Sequence, residues 1–135
     1  MHKSGEFIRL YEKDRPLSEN PIDALWDVYT DLVLKYYSNG FSCCTASDAV
    51  EKLGYPNEKW GHFKVDLPKP DFKFHCYNYC PDGDIIDLTV EQFNGRVKGV
   101  EFRKGVLIVK KGTELYERYR PSGTLEYTID SIIEL

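Results

Sequence analysis

The chain has 135 residues, of which 41% are hydrophobic, 30% charged and 14% aromatic; this suits one packed domain over residues 1–135 and excludes a largely disordered chain or two ordinary cores. The longest aliphatic run, Val106 to Val109, is far short of the roughly 20 apolar residues of a membrane helix, and charged residues stand where a secretory signal would be apolar, so a cytoplasmic protein with no membrane partner is expected. Eighteen basic and twenty-two acidic side chains leave a formal charge of -4, which sets nucleic acid aside as a partner of the whole surface.

The first predicted element is a helix from Pro21. Ile22, Leu25, Trp26, Tyr29, Leu32, Val33 and Tyr36 recur at three-and-four spacing, Asn20 is the N-cap candidate, and Asn39-Gly40 ends the run. A second helix is expected from Cys43 to about Leu53, with Ser42 as N-cap, a stripe of Ala46, Ala49, Val50 and Leu53, and Gly54 as its stop. Residues from Tyr55-Pro56 to Pro70 read as a loop. Strands are then expected over 72–80, 84–90, 97–103 and 106–111, with a further strand or hairpin within 114–129. Turns at Pro81-Asp82-Gly83, Asn94-Gly95 and Lys104-Gly105 suit hairpins. Helices first and an antiparallel sheet afterwards make this an α+β fold.

The cysteines concentrate the chemistry. Cys43 and Cys44 open a helix, where the macrodipole and free N–H groups lower a thiol's pKa and can hold an oxyanion. Cys43 shares a face with Ala46 and Val50 and is expected to meet the sheet, whereas Cys44 lines up with Ser47, Asp48 and Glu51 on the polar face and is expected to point to solvent or a neighbouring loop. On the strand over 72–80, His75 alternates with Tyr77 and Tyr79.

Whether His75 meets Asp87 depends on hairpin register. A two-residue turn at Asp82-Gly83 would place them on opposite faces. A three-residue loop over Pro81-Asp82-Gly83 pairs Cys80 with Asp84 and makes Asp87 a diagonal neighbour of His75 on one face. Pro for a type I turn followed by Gly for a left-handed residue favours the second register. Cys43, His75 and Asp87 then form a nucleophile, a base and an orienting acid.

Cys43-Cys44-Thr45-Ala46-Ser47, read as C-x-x-A-S, then His75, then the segment from Asp82 to Phe93, read as D-G-x-x-x-D-x-T-x-x-Q-F, resemble the papain-like or transglutaminase-like small cysteine hydrolases of bacteria and phages. The resemblance covers residues 40–93. It implies a papain-like or transglutaminase-like core, with Cys43 as nucleophile, His75 as general base and Asp87 as orienting acid. Gln92 falls on a characteristic position of the family without an assigned role, and Tyr77 stands where the family usually has an aromatic residue. Asn39 is considered as a side-chain oxyanion donor and Cys44 as a second nucleophile candidate.

The expected activity is cysteine-dependent hydrolysis or acyl transfer at an amide bond through a thioacyl intermediate, of peptidase, amidase, deamidase or transglutaminase type. Its substrate would be a protein, a peptide or a small amide. The alternative is a non-catalytic protein that uses the same cleft for a small anionic ligand or a protein partner. The anion would meet residues 94–120, where eight Lys or Arg stand against three Glu, unless these are only solvated strand faces. His62 is a second base candidate but lacks an aspartate at a suitable offset. A zinc reading of Cys43, Cys44, His75, Cys76 and Cys80 is disfavoured, because no C-x-x-C pair is present and strand alternation sends His75 and Cys76 to opposite faces. Cys76 and Cys80 read as small buried hydrophobes. No metal, nucleotide or flavin motif is present, so no cofactor is implied.

Overall fold

A computed structural model describes residues 21–36 and 40–123; the expected Asn20 cap and Asn39 lie outside the described residues. Two helices, α1 (Pro21–Tyr36) and α2 (Cys43–Glu51), precede five strands: β1 (Asn57–Val65), β2 (Asp71–Tyr79), β3 (Ile85–Asp87), β4 (Leu107–Val109) and β5 (Tyr119–Arg120). The strands form one curled antiparallel sheet in the order β4-β3-β2-β1-β5. The fold is mixed α+β.

Period-two alternation divides the sheet into two apolar faces. Ile86 and Ile108 point to the helices, where they pack with Leu25, Leu32, Ala46 and Val50. Ile85, Leu107 and Val109 point the other way, to Phe63, Tyr77, Phe93, Phe102 and Tyr119. Every residue of β3 and β4 is buried. At about 25 cal/mol per Å2 of apolar area, burial on both faces stabilises these short strands despite their few ladder bonds.

Several expected elements are corrected. Residues 57–65, read as loop, form β1, which pairs along β2 from Asn57 opposite Asn78 to Val65 opposite Asp71. The strand expected over 84–90 stops at Asp87 and gives way to a 3-10 turn at Val90–Phe93. No strand forms over 97–103. There the Asn94 side chain takes the place of a partner strand, its Nδ2 donating to Phe102 O at 2.9 Å and its Oδ1 accepting from Phe102 N at 2.6 Å. Val97 and Phe102 are buried all the same, so their apolar character reflects a packed irregular segment. Asn94-Gly95 and Lys104-Gly105 therefore close no hairpin. The strand expected over 106–111 is limited to β4. Of the segment 114–129, the described part is a 3-10 turn at Tyr116–Arg118 followed by β5. Helix α2 ends at Glu51, and Leu53 is exposed instead of completing the apolar stripe.

Part of the basic segment is structural. Arg118 grips Asp66 with both guanidinium arms at 3.1 and 3.0 Å and donates to Lys64 O at 2.9 Å. The Arg118 hydrogen bonds hold the Asp66 carboxyl below its ordinary range, aided by the Lys98 N–H. This clamp ties the chain before β5 to the end of β1 and sets Tyr119 opposite Phe63.

Gly105 precedes the buried Val106 at φ 128°, a conformation closed to L side chains, and a Cβ there would overlap the Trp26 ring of α1. Gly105→Ala is expected to destabilise the protein by about 1–3 kcal/mol in denaturant unfolding. Unchanged stability would mean that neither the backbone nor the Trp26 contact is confined there.

Candidate active site

Helix α2 begins with its cap in place. Ser42 Oγ accepts from Thr45 N at 3.2 Å, and Ser42 O accepts from Ala46 N. The N–H groups of Cys43 and Cys44, in the first turn, have no partner within the helix ladder. Ala46, Ser47 and Val50 are buried beneath the helix, which seats its first turn on β2.

The β2–β3 register is the one expected for a three-residue loop. Asn78 pairs with Ile86 and Tyr79 with Ile85, while Cys80 N donates to Asp84 O at 2.8 Å and Gly83 N to Cys80 O at 2.9 Å. Gly83, at φ 92°, supplies the positive φ that closes the loop. In this register Asp87 is diagonal to His75 on a shared face.

The two side chains meet there: His75 Nε2 lies 2.6 Å from Asp87 Oδ2, both groups almost completely buried. Tyr119 donates its hydroxyl proton to the same Oδ2 at 2.7 Å, and Thr89 N donates to Oδ1 at 2.9 Å. Burial alone would push the Asp87 carboxyl up, but the charge and hydrogen bond of His75 and the Thr89 and Tyr119 donors hold it below the ordinary carboxylate range.

Because Nε2 is committed to Asp87, Nδ1 is the free ring nitrogen. Gln92 Nε2 lies 3.3 Å from it and donates to Thr89 O at 3.0 Å. Phe93 meets the ring edge to face, and Tyr77 lies tilted against it at 5.9 Å. Carboxylate and aromatic neighbours together fix the imidazole plane.

Cys43 is half-buried, with its thiol under the influence of the His75 ring. Burial raises its thiol, but the His75 hydrogen bond, the Cys76 backbone N–H and the ring's charge outweigh that effect and lower it to about 7. Burial opposes the charged form of His75, yet Asp87 and Cys43 raise it to about 9. Between these values the favoured state is a thiolate beside an imidazolium.

Cys44 requires a correction. It does not point to solvent: its Sγ lies 3.0 Å from Cys76 Sγ, and Ser47 on the same helix face donates to Tyr77 O at 3.2 Å. The sheet curls beneath the first turn of α2 and covers the side that the helical wheel assigns to solvent. The sulfurs of Cys43, Cys44 and Cys76 all lie within 4.8 Å of one another, so three of the five residues of the zinc reading converge. Cys80 packs in the helix-side core. His62 is buried on β1, its ring centroid 4.8 Å from that of Phe74, and burial lowers its pKa.

Tyr119 is the site residue that sequence reasoning missed. It lies 32 positions from Asp87, and no local pattern links the two. A cavity of about 210 Å3 is lined by residues including Tyr29, Tyr36, Phe41, Glu91 and Lys104. Neither Cys43 nor His75 is among its lining residues.

Tyr119→Phe removes one donor from a buried carboxylate and is expected to cost about 1.5–3 kcal/mol in denaturant unfolding; a negligible loss would mean that His75 and Thr89 satisfy Asp87 without it. The chain matches no protein-family model, no curated protein and no solved structure, so the family resemblance rests on its residues alone.

Proposed function

We propose that the protein is a cysteine-dependent hydrolase or acyl transferase acting on amide bonds, with a papain-like or transglutaminase-like core. One arrangement carries this reading: His75 is held by Asp87 through one ring nitrogen, and the same ring lowers the thiol of Cys43 at the start of a helix. A buried structural histidine needs no thiol partner, and a buried thiol ordinarily rises in pKa instead of falling to about 7.

In this mechanism the Cys43 thiolate attacks the acyl carbonyl, forming a C–S bond and moving the carbonyl electron pair to oxygen. The first-turn N–H groups of α2 receive that oxyanion. As the carbonyl reforms, the C–N bond breaks and the His75 imidazolium gives its Nδ1 proton to the leaving amine. Water or an acceptor amine then attacks the thioester, His75 takes its proton, and Cys43 leaves as thiolate. Asp87 holds the ring orientation through both transfers, and Gln92 and Tyr77 act as positioning residues. A cavity with aromatic walls and the partly buried Glu91, whose carboxyl burial pushes up, offers room for a substrate side chain.

The test is the pH dependence of iodoacetamide labelling at Cys43, read by peptide mass spectrometry. A lowered thiol pKa means that labelling rises through a midpoint of about 7. In His75→Gln the midpoint is expected to move up toward the ordinary thiol value of about 8.5, and Gln92→Ala should shift it less. A midpoint indifferent to His75 would contradict the reading.

Turnover needs thiolate and imidazolium together. Amide hydrolysis is therefore expected to rise through about 7, as Cys43 loses its proton, and to fall through about 9, as His75 loses its own. Asp87→Asn should lower turnover by about 10²–10⁴-fold, in line with general acid–base contributions and with loss of ring orientation. A variant of near-normal rate would remove Asp87 from the mechanism.

A further inference from the structure

The mechanism uses Cys43 and leaves two thiols beside it unexplained. Cys43 and Cys44 extend from the first turn of α2, and Cys76 rises from β2 to meet them. We propose that these three sulfurs form a binding site for a thiophilic divalent cation of the zinc class, and that occupancy silences Cys43.

The geometry suits such an ion. Three sulfurs held about 2.3 Å from a common centre stand about 4 Å apart. All three lie within 4.8 Å of one another, and the closest pair, Cys44 and Cys76, needs to open only slightly from 3.0 Å. Two of the sulfurs are on a capped helix and the third is on a strand paired on both sides, so the rigid frame limits rearrangement on binding.

The surroundings treat the sulfurs unequally. The Cys76 backbone N–H favours the charged form of Cys43, whereas burial and the Cys44 thiol push Cys76 up to about 12 against the Trp60 N–H, so the cation itself has to displace the Cys76 proton. Trp60 reaches that position through a bulge between Glu58 and Gly61, at φ 62°, which is uncommon for a bulky residue. The strained residue thus aims a backbone donor at the cluster. An all-sulfur group with no carboxylate selects a soft ion over magnesium or calcium.

Binding forms three metal–sulfur bonds without electron transfer, and each thiol that still carries its proton releases it to solvent. The Cys43 lone pair that would attack a carbonyl is then held by the cation. This silencing rests on Cys43 being the attacking thiol; the binding does not.

The experiment titrates cadmium chloride into protein reduced with a phosphine, reading thiolate-to-metal charge-transfer absorption, followed by competition with zinc. The parent is expected to saturate at one equivalent. Cys44→Ser should weaken binding by at least about tenfold, no less than the loss of an outer-shell partner at known metal sites. Cys80→Ala should bind as the parent does, and Cys44→Ser decides the question should Cys76→Ser fail to fold.

In parallel, zinc is expected to slow iodoacetamide labelling of Cys43 in the parent by tenfold or more, reversibly with a chelator, and to have far less effect in Cys44→Ser. No absorption band, or binding unchanged in Cys44→Ser, would overturn the site. A normal band with Cys43 labelling unaffected by zinc would overturn the silencing while leaving the catalytic reading intact. A Cys43 that labels no faster than Cys80 in metal-free protein counts against the catalytic reading, and the cadmium band alone then decides the site.

Discussion

The Asp87 carboxylate is 1% exposed, and a buried charge of this kind is tolerated only when paired and hydrogen-bonded. Its partners come from three separate parts of the chain: His75 on β2, Thr89 just after β3, and Tyr119 on β5. Meeting that requirement is consistent with the β2–β3 register, with the turn at Val90–Phe93, and with a curl that brings Tyr119 of the edge strand β5 to Asp87 on β3. The turn in turn places Gln92 against His75 and Phe93 in the core. Much of what orients the imidazole is therefore also what makes the buried carboxylate stable.

The two sides of the sheet divide the work. The helix-side core seats α2 so that its first turn, with Cys43, overhangs β2. The opposite core, rich in aromatic residues, encloses the His75–Asp87 pair and keeps water from it. That exclusion strengthens the attraction between ring and carboxylate, and a ring held cationic by its carboxylate can hold a neighbouring thiol as thiolate. The Arg118–Asp66 clamp belongs to the same chain of causes, because it fixes the approach of the strand that delivers Tyr119.

Features encoded by local chemistry were legible in the sequence. Pro81-Asp82-Gly83 specifies a three-residue loop, and that loop dictates the register that brings His75 and Asp87 together. Ser42 announces the start of α2 through its hydroxyl. Features set by tertiary contact were not legible. Strand β1 carries a bulge at Trp60 that breaks the alternation from which a strand is recognised. Val97 and Phe102 look like strand residues because they are buried, although a single Asn94 side chain satisfies the backbone at Phe102. The helical wheel turned Cys44 toward solvent because it contains no information about a sheet that curls beneath both sides of the helix end. Tyr119 was invisible for the same reason: its partner is distant in sequence.

The central claim is that Asp87 and Cys43 together keep the buried His75 ring cationic at neutral pH. The most direct measurement is a nitrogen-15 NMR titration of the His75 imidazole in the parent protein and in Asp87→Asn. Both ring nitrogens are expected to be protonated at neutral pH in the parent, with loss of the proton at about 9, and the midpoint to lie at clearly lower pH in Asp87→Asn. A parent ring that is neutral at pH 7, or a midpoint that Asp87→Asn leaves in place, would contradict it.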